Sequence, residues 1–119
     1  MRVKHIKPPN GSSDSWLQEG HIYTVLEISA DTMGIYYRIL AQDDSGTPAL
    51  HAAHFFTVED YHIPPSWIVA ITTRRDGKTH LQLAPAPWTQ ANFWERFFDL
   101  DDEARSMFDQ ECHKMLMEY

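Results

Sequence analysis

The side chains best suited to chemistry are histidines. His51 and His54 stand three apart, and Glu59, Asp60 and His62 follow closely. Imidazoles and carboxylates are ligands for zinc and related metals, so His51, His54 and His62 form a candidate metal set. A His-x-x-His pair shares one face only on a helix, because side chains three apart on a strand point to opposite faces. Residues 50–58 read as extended, and seven histidines in 119 residues make such spacing common by chance. Both points count against a metal. A second candidate is a basic tip, Arg74, Arg75, Lys78 and His80 around Asp76-Gly77. It could hold phosphate, but it has no aromatic residue on which a base could stack, and a solvated turn is the better reading. Cys112-His113 could pair as an activated thiolate, but adjacent helical residues diverge by about 100° and do not face one another. The carboxylates Asp99, Asp101, Asp102 and Glu103 could share acid–base work, yet their place at a helix start makes capping the more economical explanation. No glycine-rich phosphate loop, G-x-S-x-G elbow or Cys-x-x-Cys pair occurs. No catalytic residue, no cofactor and no enzymatic activity are therefore expected.

The elements that must position these residues divide near Pro87. Before it, period-two patterns and turn signals dominate; after it, helical spacing does. Residues 2–7 read as a first strand and residues 8–15 as a loop. Residues 21–28 form a second strand with apolar side chains on both faces, which makes it central or shifted by a bulge. Residues 35–40 form a third, residues 43–48 a turn, and residues 50–58 a fourth extended segment. Residues 67–73, with Trp67, Val69 and Ile71 on one side, pair with residues 79–83 through Asp76-Gly77, expected as a type I′ turn. Pro85 and Pro87 end the last strand. Thr89 is a fair cap for a helix carrying Phe93, Trp94, Phe97 and Phe98. Asp99 or Asp101 could cap a second helix, on which Ala104, Met107, Phe108, Glu111, Cys112, Met115 and Leu116 keep a helical period. The expected fold is α+β in one domain over 1–119, mainly β over 1–87 and helical over 88–119. A small strongly bent antiparallel sheet or SH3-like barrel would precede an amphipathic C-terminal helical segment.

A hydrophobic fraction of 43% and an aromatic fraction of 13% suit a packed globule. The net charge is −7. Residues 90–119 hold eight acidic and three basic side chains, so most of the excess is C-terminal. Such a surface repels phosphate backbones and disfavours nucleic acid. No apolar run is long enough for a membrane span, the basic N-terminus has no apolar stretch after it, and there is a single cysteine. These features point to a cytoplasmic protein with no membrane association.

Gly20-His21-Ile22-Tyr23-Thr24-Val25-Leu26-Glu27-Ile28, then Tyr37-Arg38-Ile39, Asp44-Ser45-Gly46-Thr47-Pro48 and Phe55-Phe56-Thr57-Val58, resemble the pattern of small bacterial proteins with an SH3-like barrel. The tail from Asn92 to Asp99, with Ala104 and Phe108, is similar to the helical tail of uncharacterised relatives of that group. Some similar proteins look like immunity proteins for polymorphic toxins. The resemblance covers about two-thirds of the chain and implies a fold and a bacterial or phage setting. It carries no residue-level function.

The leading expectation is a non-enzymatic module that binds a protein partner. Tyr23, Tyr36, Tyr37, Trp67 and Trp88 are its groove candidates if exposed. The more specific version is an immunity-type inhibitor. Its Asp99, Asp101, Asp102, Glu103, Asp109 and Glu111 would cover a basic toxin site. The alternative from another class is a small metal- or ligand-binding protein using His51, His54 and His62. A third is a homo-oligomer joined through the Phe93, Trp94, Phe97 and Phe98 stripe.

Overall fold

The computed structural model describes residues 1–6, 17–42 and 45–117. The loop expected at 8–15 and the first part of the turn expected at 43–48 lie outside the described residues. Among the described residues eight strands come first: β1 Arg2–His5, β2 Ile22–Thr24, β3 Glu27–Asp31, β4 Gly34–Gln42, β5 Ser45–Ala52, β6 Phe56–Asp60, β7 Trp67–Thr73 and β8 Thr79–Pro85. Two helices follow, α1 Phe93–Phe98 and α2 Asp102–Met117. The chain is α+β, as its patterning implies. All strand pairs are antiparallel. They form a three-stranded sheet, β2-β1-β6, and a five-stranded sheet, β5-β4-β3-β8-β7. The two sheets are not closed into a barrel.

Two places show how one chain feeds both sheets. The segment expected as a single strand over 21–28 is two strands. The Val25 amide donates to the Met1 carbonyl beside the smaller sheet (3.0 Å), and the next amide, Leu26, donates to Arg38 in the larger one (2.8 Å). Apolar residues fall on both sides here because the chain changes sheets between Val25 and Leu26, both buried. The same happens within residues 50–58. A 3-10 turn at Ala53–Phe55 separates β5 in the larger sheet from β6 in the smaller. The Ala52-Ala53 pair, poor in β-propensity, sits at this break.

The β7–β8 connection differs in type from the expected two-residue turn. The Arg74 amide donates to Lys78 (2.8 Å) and the Gly77 amide to Arg74 (2.9 Å). Only Gly77 in this loop has positive φ, at 82°. A type I′ turn needs two such residues. This is a three-residue loop closed by a left-handed glycine, the next most common hairpin solution.

Helix α1 starts later than the pattern suggests, whereas α2 starts at one of the two expected caps. Thr89 lies in a 3-10 turn, Ala86–Thr89, and its hydroxyl donates to the Ala86 carbonyl (2.7 Å). Asn92, left-handed at φ 64°, precedes α1. Of the two aspartates proposed as caps, Asp101 is the one used: its Oδ1 accepts from the Ala104 amide (2.9 Å). The α1–α2 junction turns through Leu100 at φ 65°, and the Leu100 and Asp101 amides return to Phe97 and Arg96.

The helices pack on their own sheets. Trp88 stacks on Phe93 and Phe108 with ring centroids 6.3 and 5.2 Å apart. The Trp67 indole N–H points at the Met115 sulfur, 3.1 Å away. Phe93 and Phe97 are buried in the same core as Val3, Val25 and Ile39. Of the α1 stripe expected as a possible oligomer interface, Phe93 and Phe97 are thus core and Trp94 is half-buried, while Phe98 is 47% exposed.

Candidate functional site

Directly paired residues on neighbouring strands share a face, so the register divides the five-stranded sheet into two. One face carries Glu27 of β3 opposite Arg38 of β4, with Ser29 opposite Gln82 of β8. The other carries a row running Ile71, Leu81, Ala30 and Ile35 from β7 to β4, and beside it a row of Val69, Leu83, Ile28, Tyr37 and His51.

The polar face is the covered one. Glu27 is 1% exposed. Its Oε2 accepts from Arg38 Nε (2.9 Å), and its Oε1 accepts from Gln82 Nε2 (2.6 Å) and from the Trp94 indole N–H (3.1 Å). Arg38 also donates to the Pro48 carbonyl (2.8 Å), and its guanidinium lies 3.7 Å from the centroid of the Trp94 ring. Gln82 reaches the Trp88 carbonyl (3.2 Å). Burial lowers the Arg38 pKa from its usual value, and the Glu27 carboxylate opposes that shift. Each charge of this pair is thus hydrogen-bonded as well as neutralised, the condition under which buried ions are tolerated. The cluster docks α1 onto the sheet. Its polar atoms are engaged with one another, and Glu27 and Arg38 are buried.

The apolar face is covered only in part. Phe56 of β6 packs on Tyr37 with ring centroids 5.7 Å apart and lies 6.5 Å from the His51 ring. The smaller sheet therefore shields the β4–β5 end. Toward the other edge the cover stops. Val69 is 61% exposed, Ile71 62% and Ile35 53%, with Leu81, Leu83, Ile28 and Ala30 half-buried between them. This is a contiguous apolar band across four strands, which a monomer's surface rarely presents without a use. Alternation correctly predicted that Trp67, Val69 and Ile71 share a side. Only Trp67 of the three is buried.

The band ends on β7, an edge strand. Sheet edges normally carry charge, proline or a short length that discourages pairing. Among the described strands, β2 has three residues, β5 contains Pro48, and β6 ends in Glu59-Asp60. β7 reads Trp-Ile-Val-Ala-Ile-Thr-Thr, seven residues without charge or proline.

The residues singled out by sequence fall as follows. His51 is buried in β5, while His54 and His62 are exposed at the 3-10 turn and beyond β6. Among the described residues no three His, Cys, Asp or Glu side chains are grouped as a metal would require. The His51, His54 and His62 set does not come together, because the sheet change at Ala53–Phe55 separates it. Trp67, Trp88, Tyr23 and Tyr37 are core and form no groove; Tyr36 is half-buried. Arg74, Arg75 and Lys78 are exposed at the tip, but His80 lies inside β8, its Nε2 2.7 Å from Ser29 Oγ. Cys112 is half-buried in the apolar stripe of α2 and His113 is exposed.

Of the acidic set, Asp99, Asp102, Glu103 and Asp109 are exposed. Asp101 pairs with Arg96 (3.2 Å), and its capping bond to Ala104 followed by that pair lowers its pKa. Glu111 is buried and bonded to Lys114 (3.3 Å). Sequence reasoning missed Glu27, Arg38, Gln82 and Trp94 as a unit, and Ile35 as the far end of the band. The only local signal was a charge within each of two otherwise β-prone segments. Compared with protein-family models, curated proteins and solved structures, the chain has no significant match.

Proposed function

We propose that the protein is a non-enzymatic interaction module whose docking surface is the open apolar face of the five-stranded sheet. The observation that supports it most is the band from Ile71 to Ile35, left uncovered beside an edge strand with no protective charge. A lone cysteine suits a reducing cytoplasm. The partner is a protein with a complementary apolar patch, since the fully buried centre of a protein interface is depleted in charge.

The test is capture by the tagged full chain from its native cell, compared with Ile35→Lys and Ile71→Lys variants. A stoichiometric protein retained by the wild type and lost with either lysine supports this surface. Retention by both variants removes it.

The exposed carboxylates Asp99, Asp102, Glu103 and Asp109 favour a second reading, an immunity-type inhibitor steered to a basic toxin site. That reading requires capture to weaken with salt and with Asp102→Asn/Asp109→Asn. Indifference to both would leave the apolar face as the binding surface.

A further inference from the structure

We infer that two copies of this chain pair through β7, antiparallel and about a two-fold axis at Ala70, and so join their apolar bands into one surface. The inference rests on the docking-face reading and names one occupant for the edge beside it.

Backbone parity comes first. Arg74 hydrogen-bonds Lys78 at the hairpin end. In an antiparallel ladder, bonded and non-bonded residue pairs alternate. Arg74, Thr72, Ala70 and Ile68 therefore turn their backbone groups toward β8. Val69, Ile71 and Thr73 turn theirs outward, to the open edge. Trp67 also turns outward, but its amide is engaged with the Pro64 carbonyl (3.1 Å). The outward groups thus belong to the residues whose exposed side chains end the apolar band.

A two-fold at Ala70 sets Val69 opposite Ile71 of the second copy, and Ile71 opposite its Val69. Each of these residues can then both donate and accept. The row Ile35, Ala30, Leu81, Ile71 continues directly into the second copy's Val69, Leu83 and Ile28. Moving the axis to Ile71 would set Val69 against Thr73. Moving it to Val69 would set Ile71 against Trp67, whose amide is already used. Ala70 is the centre that pairs Val69 and Ile71 with each other through free backbone groups; the engaged Trp67 amide then falls only at the ends of the ladder, opposite Thr73.

Charge favours the same arrangement. Arg74, Arg75 and Lys78 crowd the tip beyond β7. Parallel pairing would set two such tips side by side. Antiparallel pairing separates them by the length of the strand, about 23 Å for seven residues at roughly 3.3 Å each, well beyond the screening length of about 8 Å at physiological salt.

The test uses the full chain with Cys112→Ser as background, examined by sedimentation and by oxidative cross-linking. The inference expects a concentration-dependent dimer. Ala70→Cys should cross-link, because residues directly opposite in a non-hydrogen-bonded pair lie about 4.5 Å apart, within disulfide reach. Ile68→Cys and Thr72→Cys, each made alone, should not, since each faces the other position. Val69→Lys should abolish the dimer. Val69→Lys/Ile71→Glu should restore it, by setting opposite charges across the axis. A chain that stays monomeric at high concentration and fails to cross-link at position 70 overturns the pairing. Cross-linking at 68 or 72 in preference to 70 overturns the register. Either failure leaves the docking-face reading standing, because that reading is decided by Ile35→Lys, which lies far from the edge.

Discussion

The two faces of the five-stranded sheet invert the usual arrangement. On one, a glutamate, an arginine and a glutamine are sealed under α1. On the other, isoleucine and valine are left to solvent. An antiparallel sheet with one wet side ordinarily buries its apolar side and exposes its polar one. The difference teaches that cover, not side-chain polarity, decides burial here. Helix α1 docks on the polar face, where Trp94 hydrogen-bonds Glu27 while its ring stacks on Arg38. The smaller sheet then reaches only the β4–β5 end of the opposite face.

The largest effect should come from breaking the polar face. Glu27→Ala leaves Arg38 charged, buried and unpaired, and is expected to cost about 3–5 kcal/mol in urea unfolding. Replacing both partners, Glu27→Met/Arg38→Met, should recover most of that loss. A double variant as unstable as the single one would show that the ion pair itself, and not the orphaned charge, matters.

Trp94→Phe removes one donor to Glu27 and keeps most of the ring. A loss of about 2 kcal/mol is expected, since hydrogen bonds to charged groups contribute roughly 1.5–3 kcal/mol. An unchanged midpoint would mean that α1 is held by packing alone.

The helical cover also carries a pH signature. The Asp101 carboxyl is held below its usual 3.8 by the Ala104 amide and then Arg96. A depressed folded-state value contributes stability that is complete above the unfolded value and lost as pH falls through the folded one. Thermal melts should therefore show an acid-limb decline below about pH 4. Asp101→Asn keeps a capping oxygen and should flatten that limb; an identical acid limb in the variant would assign the decline to other carboxylates.

Leu100→Gly should raise stability by about 0.5–1 kcal/mol, because glycine adopts positive φ without the steric penalty of a side chain, and Leu100 is 69% exposed. The smallest effect belongs to the open face. Ile35→Thr and Ile71→Thr should move the unfolding midpoint of the monomer by no more than about 0.5 kcal/mol while weakening association. A large loss of monomer stability from Ile71→Thr would mean that the band is covered from within the chain and is not a surface.

Much of the local structure was legible from residue types. Period-two patterning placed the strands of β7 and β8, Asp76-Gly77 marked their hairpin, and the spacing of Ala104, Phe108 and Met115 marked α2. The helix start at Asp101 was one of two caps that the residue types allow. Misread points share a cause. Apolar side chains on both faces of residues 21–28 record a change of sheet, which no single-strand pattern expresses. His51 and His54 are parted by the same kind of change. Residue type alone favoured core for Trp67 and Trp88 without excluding a groove, and the three-dimensional neighbours Met115, Phe93 and Phe108 make them core.

The sequence by itself determined the α+β division near Pro87, the identity of most strands and the acidic C-terminal bias, because each follows from local propensity, periodicity and charge. Only the tertiary structure decided which face of each strand is buried, that Glu27 meets Arg38 and Trp94, and that β7 ends a sheet with its apolar side chains uncovered. Periodicity names two sides of a strand but not the one that another element will cover. That choice depends on contacts between segments tens of residues apart, and those contacts form only when the chain folds.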